Sequence, residues 1–74
     1  MSALTMLTIY DSPADHPGFV VLTSWAVWPG FDPIFLGQGP CNTVDEARAI
    51  PLAAGMHLLP RSDDDDPCVV ESWI

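Results

Sequence analysis

The chain contains no lysine, and its only basic residues are Arg48 and Arg61. Ten acidic residues outnumber them and give a formal net charge of −8 over 74 residues. A protein that binds nucleic acid directly needs a basic surface for the phosphates, and anionic membranes repel a chain of this charge. The composition therefore argues against both partners and favours a basic protein surface, which a negative field attracts.

Long hydrophobic runs are also missing. No apolar stretch reaches the length of a membrane span, and the N-terminus lacks the basic residues and apolar core of a signal peptide. The two cysteines, Cys41 and Cys68, are far apart in sequence and form no C-x-x-C pair. We therefore expect a cytoplasmic protein with two reduced thiols.

Motifs for catalysis and for cofactor binding are absent. An EF-hand loop starting at Asp63 would need Gly at its sixth position and Glu at its twelfth, where the chain has Cys68 and Ile74. The histidines and cysteines lack zinc-ligand spacing, and there is no G-x-S-x-G motif. We expect no enzymatic activity, no structural metal and no cofactor, while loose cation binding by the aspartates stays open.

What the chain does contain is enough apolar residues for one folded domain over residues 1–74, since 49% are hydrophobic. Residues 3–10 are rich in β-branched side chains and favour a strand over a helix. Residues 19–28 form the longest apolar run and predict the central strand, closed by a type II turn at Pro29-Gly30. Residues 34–36 predict a brief third strand that the following Gly and Pro residues end.

A helix is predicted from Val44 to about Ile50. Thr43 and Glu46 have the spacing of a capping box, in which the Thr hydroxyl accepts from the Glu46 amide and the Glu side chain reaches back to the Thr43 amide. Asp45 and Glu46 also suit the positive end of the helix dipole. Pro51 should stop or bend the helix, and the stripe of Val44, Ala47 and Ile50 should pack on the sheet.

Residues 56–60 and 68–74 predict a closing β-hairpin. The resulting fold class is α+β, a small and mainly antiparallel sheet of four to five strands with one short helix, in the order β-β-(β)-α-β-β. One short helix covers only part of one sheet face. We therefore expect some apolar surface of residues 19–28, and of Trp73, to be exposed unless N-terminal residues fold over it.

An uninterrupted run of aspartates lies between the two hairpin strands. Four adjacent carboxylates cannot be buried without partners, so they predict a solvated loop. With other acids at the helix start and on the last strand, this loop predicts an acidic, partner-binding surface that imitates the phosphates of DNA. A solvated turn without a binding role is the other interpretation. The predicted partner-binding residues are Asp63, Asp64, Asp65, Asp66, Glu71, Asp45 and Glu46.

In its size, acidity, α+β character and lack of catalytic motifs, the chain resembles the small acidic inhibitors that phages encode. Among these it is most similar to the anti-CRISPR proteins that act on type I interference complexes. The resemblance rests on no motif and assigns no residue a role. It implies binding to the basic surface of a nucleic-acid-binding protein, the complex subunit that reads the short DNA motif beside the target. It also implies a bacterial host cell as the place of action, and blockade of target DNA recognition.

A second hypothesis belongs to a different class. The chain would be a small cytosolic bacterial domain that homodimerises through its apolar central strand and has a housekeeping or regulatory role. In that case the acidic residues would serve solubility alone. The sequence is compatible with a monomer or a weak homodimer, and capture of a basic partner in a salt-sensitive complex would distinguish the first hypothesis from the second.

Overall fold

The computed structural model describes residues 3–59, 61 and 67–74. Within these residues, five strands form a single antiparallel sheet in the order β3-β2-β1-β5-β4, and one helix packs against it. This arrangement confirms the predicted α+β class and the β-β-β-α-β-β order. The elements are β1 (Leu4–Asp11), β2 (Val20–Val27), β3 (Ile34–Cys41), α1 (Val44–Ala53), β4 (Leu58–Leu59) and β5 (Val69–Trp73).

The strand at the centre of the sheet is β1, whereas the sequence predicted that residues 19–28 would be central. β1 pairs with β2 on one side and with β5 on the other. Its Ile9 is completely buried. The prediction was based on the length of the apolar run. A long run indicates that both faces of a strand are buried, but it does not indicate where the strand lies within the sheet.

The helix begins at the predicted cap but continues beyond the predicted end. Pro51 lies inside α1, and its side chain is fully buried. Because Pro51 packs into the core, burial offsets the hydrogen bond that its missing N–H cannot donate. The helix ends in a Schellman motif: Gly55 has φ +72°, its amide donates to Leu52, and the Met56 amide donates to the Pro51 carbonyl.

The buried stripe of the helix differs from the prediction in one position. Ala47 is completely buried and Val44 packs against the core, as expected, but Ile50 is 51% exposed. Since the helix runs on to Ala53, Pro51 takes the inward position one turn after Ala47.

β3 is longer than the predicted brief strand and continues through Gly37, Gly39 and Pro40. The sheet order puts β3 at an edge, where a proline without an N–H is tolerated. The register with β2 shifts between Ser24 and Trp25, so that β3 carries a β-bulge. The turn before β3 is confirmed, because Gly30 has φ +79° and the Phe31 amide donates to the Trp28 carbonyl at 3.3 Å.

The two faces of the sheet are covered differently. The core lies on the face that packs against α1, and Trp73, for which exposure was considered, is only 5% exposed there. On the other face, which we call the open face, the loop between β1 and β2 passes over Tyr10, Val21 and Thr23. Partial coverage leaves Phe19 and Phe35 of this face more than half exposed, and Phe31, Ile34 and Leu36 are also more than half exposed.

Candidate acidic interface

Four strand ends meet at one end of the sheet. Antiparallel pairing sets Asp11, the last residue of β1, opposite Val20, the first of β2, and Val20 opposite Cys41, the last of β3. The Asp11 amide also donates to the carbonyl of Cys68, just before β5, at 2.8 Å. We call this region the acidic end, because the helix start follows β3 here and the aspartate run precedes β5.

Asp45 and Glu46 occupy the first turn of α1 at the acidic end. The Glu46 amide donates to the Thr43 hydroxyl at 3.1 Å, which is the first half of the predicted capping box. The second half of the box is not formed in the described part of the chain, because the Glu46 side chain makes no hydrogen bond to the Thr43 amide. The Asp45 side chain is 91% exposed, so both carboxylates face solvent at the helix N-terminus.

Glu71 is a correction to the predicted surface. It lies on β5 beneath the helix and is only 7% exposed. Its carboxylate accepts hydrogen bonds from Arg48, from Nε at 2.7 Å and from Nη2 at 2.6 Å. These bonds raise the pKa of the Arg48 guanidinium. A buried carboxylate needs such a partner, so Glu71 is neutralised within the fold and does not contribute to an exposed acidic surface.

Arg48 also links Glu71 to the helix start. Its Nη1 lies 3.2 Å from Oδ1 of Asp45, the residue one turn earlier. The structure therefore brings Glu71 of β5 to Asp45 and Arg48, which lie one turn apart on the helix. Sequence reasoning missed Arg48 because nothing local indicates that a helix residue pairs with a strand that follows 23 residues later.

The predicted residues Asp63, Asp64, Asp65 and Asp66 lie outside the described residues. The chain on both sides of them is described, and it belongs to the predicted hairpin: Leu58 pairs with Trp73 and Leu59 with Ser72. Nε of Arg61 donates to the carbonyl of Val69, the first residue of β5, at 3.0 Å. Arg61 and the start of β5, which flank the aspartate run in the sequence, therefore lie at the acidic end.

Both arginines lie at the acidic end as well. Arg48 balances the buried Glu71, and Arg61 is bound at the start of β5. The exposed acids that the structure describes at this end are Asp11, Asp45 and Glu46, and Asp15 lies in the adjoining β1–β2 loop. Asp32, by contrast, is an exposed acid in the turn between β2 and β3, at the opposite end of the sheet.

The environment of the acidic end changes the pKa of Cys41. Cys41 and Cys68 are half-buried thiols that are not joined in a disulfide. Burial raises the pKa of the Cys41 thiol, and the negative charge of Glu46 raises it further. The thiol is therefore held in its protonated, unreactive form at neutral pH, which is the opposite of the low pKa that an activated cysteine nucleophile has.

The open face has a shallow groove that the sequence did not indicate. It has a volume of about 240 Å³ and is lined by the β1–β2 loop and β3. The Gln38 amide nitrogen lies 2.8 Å from Nε2 of His16 and connects the two walls. The groove is smaller than a typical ligand pocket, which measures roughly 300–1,000 Å³. Its lining residues are His16, Phe19, Val21, Gln38, Gly39 and Pro40.

Among the described residues, no group of three or more His, Cys, Asp or Glu side chains is arranged to hold a metal ion. No helix in that part of the chain is both long enough and apolar enough to cross a membrane. In comparisons with known proteins, no family model matches the chain, and no curated protein or solved structure is significantly similar to it. A functional proposal therefore depends on the geometry of the acidic end.

Proposed function

We propose that this protein is an acidic, non-enzymatic inhibitor that imitates DNA and occupies the nucleic-acid-binding surface of a partner protein. The resemblance to anti-CRISPR proteins makes a type I interference complex, in the cytoplasm of a bacterial host cell, the partner to test first. The inhibitor would cover the basic subunit surface that reads the DNA beside the target, and would thereby prevent target recognition.

The observation that supports this proposal is the convergence of acid-bearing segments. Asp11, Asp45 and Glu46 lie at the same end of the sheet as both flanks of the aspartate run, although they are far apart in the sequence. A DNA duplex carries one negative charge for about every 1.7 Å of its axis, so a mimic needs several exposed acids side by side. A single short acidic loop would not supply that density.

The ion pair between Arg48 and Glu71 also favours a negatively charged surface at the acidic end. Because Arg48 is held by Glu71, its positive charge is directed toward the fold and partly cancelled there. Arg48 also lies 3.2 Å from Asp45, so its charge is shared between Glu71 and Asp45, and Glu46 carries no ion pair in the described part of the chain. Association with a basic surface would be accelerated by this field and would weaken as salt screens it.

The first experiment identifies the partner. Tagged protein is used to capture proteins from a bacterial lysate, the captured proteins are eluted by increasing salt, and they are identified by mass spectrometry. In parallel, a purified type I complex is mixed with labelled target DNA and increasing amounts of the inhibitor. Displacement of DNA, stronger at low salt, is the expected result.

A matched pair of variants tests the location of the surface. Asp45→Asn removes an exposed acid from the acidic end, and Asp32→Asn removes one from the opposite end. We expect Asp45→Asn to slow association with the partner several-fold, whereas Asp32→Asn has a smaller effect. Equal effects of the two variants would show that only net charge matters, and failure to bind any basic protein would favour the housekeeping alternative.

A further inference from the structure

We propose that β3 is a self-association edge, which pairs antiparallel with β3 of a second copy of this chain and joins the two sheets into one. This interface differs from the acidic end and does not depend on the proposed function. It also differs from association through β2, because β2 is flanked by β1 and β3 and both of its backbone edges are already paired.

The two edges of the sheet are unequal. β3 contributes eight residues to one edge, while β4 contributes only two to the other. A sheet edge carries backbone N–H and C=O groups that can pair with a further strand, and proteins usually prevent this by shortening the strand or by placing charges on it. The β4 edge is shortened in this way. The β3 edge remains long, and it is interrupted by the β-bulge between Phe35 and Gly37 and by Pro40 near its end.

The β3 edge also lacks protective charge. No charged residue occurs between Asp32 and Asp45. Ile34, Phe35 and Leu36 are each between 53% and 58% exposed, and Phe31, in the preceding turn, is 75% exposed. Pro40 lacks an N–H, so pairing would be confined to the part of β3 before it. The remaining segment, residues 34–39, is uncharged, and its first three residues are large and apolar while Gly37, Gln38 and Gly39 follow.

Charge placement makes a second copy the occupant that fits. Copies of a chain with net charge −8 repel one another and can approach closely only through an uncharged surface. In an antiparallel pair the two acidic ends point in opposite directions, whereas a parallel pair would set them side by side. The contact is isologous, because the same strand serves both copies in a two-fold arrangement.

The size of the patch sets the strength of the dimer. Aromatic side chains bury roughly 150–250 Å² each, so the exposed parts of Phe31 and Phe35 amount to about 250 Å² per copy, to which Ile34 and Leu36 add a smaller aliphatic area. That is below the ~800 Å² per partner of a standard interface. We therefore expect a weak dimer, in the micromolar range, and not an obligate one.

Analytical ultracentrifugation over a wide concentration range tests the proposal. Wild-type protein should shift reversibly from monomer to dimer, and added salt should strengthen the dimer because it screens repulsion between the two acidic copies. Binding of a basic partner responds to salt in the opposite direction. Dimerisation through β3 and binding of a basic partner are therefore independent of each other. Their opposite responses to salt show which of the two is absent.

Two lysine substitutions provide the matched comparison. Leu36→Lys places a charge on the β3 edge, and Leu52→Lys makes the same change on the helix, where the original side chain is equally exposed at 57% against 58%. Leu36→Lys should raise the dimer dissociation constant by about tenfold or more, because its ammonium would lose water on pairing. Leu52→Lys should leave the dissociation constant close to that of the wild type.

Circular dichroism and thermal melts check that both variants remain folded. Because each lysine lowers the net negative charge, a weaker Leu36→Lys dimer cannot be attributed to stronger repulsion. A wild type that is monomeric at every concentration and salt would overturn the proposal. So would an equal effect of the two substitutions. If β3 instead pairs with a strand of another protein, the wild type would remain monomeric. Leu36→Lys, but not Leu52→Lys, would then weaken binding to that protein.

Discussion

Arg48 links the buried Glu71 with the exposed Asp45, because its guanidinium contacts both carboxylates. Arg48→Gln should lower the melting temperature by on the order of 5 °C or more, since a buried carboxylate would be left without its cation. Glu71→Gln should be milder, because an amide oxygen still accepts from Arg48.

The control for this pair is the double variant Arg48→Gln/Glu71→Gln. Its loss in a denaturant melt should be smaller than the sum of the two single losses, because the second substitution removes the charge that the first leaves unpaired. Asp45→Asn should change stability little, since that carboxylate is exposed. Additive losses would mean that Arg48 and Glu71 are not coupled.

Cys41 offers a second measurement at the level of a single side chain. In a Cys68→Ser background, alkylation of Cys41 should show a pH midpoint above that of a free thiol, because burial and Glu46 both raise its pKa. Glu46→Gln should shift the midpoint to lower pH and increase the rate at a given pH. An unchanged midpoint in Glu46→Gln would show that the helix start does not act on this thiol.

Among the elements, α1 depends most on a single local interaction. The Thr43 hydroxyl accepts from the Glu46 amide, and a ten-residue helix cannot stand alone in water. Thr43→Ala should therefore cost about 0.5–2 kcal/mol of unfolding free energy, measured by denaturant melts, whereas Thr43→Ser should keep most of it. An equal loss in Thr43→Ser would point to the Thr methyl group and not to the cap.

Local signals predicted the elements well where chemistry and geometry are fixed within a few residues. The cap at Thr43 and the turn at Gly30 each follow from the chemistry of one residue. Both could be predicted because few residue types supply a side-chain acceptor at a helix N-cap or adopt a positive φ. The same reasoning failed at Pro51 and at Pro40, where a tertiary contact or an edge position removes the usual penalty of a proline.

The site was predictable only in part, and for the same physical reason. Asp45 and Glu46 could be placed because the helix cap positions them. Glu71 could not, since its burial depends on Arg48, a residue of another element. The exposure of the β3 edge also depends on sheet order, which alternation of side chains along one strand does not specify.

At the scale of the whole molecule, we expect the charges of the aspartate run to affect binding much more than stability. Replacing all four residues Asp63–Asp66 with Asn gives a neutral-loop variant. Its unfolding free energy should stay within about 0.5 kcal/mol of the wild-type value, because the sequence predicts a solvated loop and charges in such a loop contribute little to stability. Because the wild-type chain has a net charge of −8, removing four of its charges should relieve repulsion and raise the unfolding free energy slightly. Added salt should then raise the melting temperature of the variant less than that of the wild type. A large loss of stability would mean that the aspartates have structural partners.

Binding by the same neutral-loop variant should change much more than its stability. If the aspartates imitate phosphates, those at the rim of the interface set mainly the association rate and its dependence on salt. A carboxylate that is desolvated against a partner's Lys or Arg would contribute 2–5 kcal/mol, roughly 30- to several-thousand-fold in affinity. Competition with labelled DNA for the partner, at two salt concentrations, measures both effects. Equal displacement of DNA by the neutral-loop variant and the wild type at both concentrations would reduce the aspartate run to a solvated turn and leave the mimic without its densest charge.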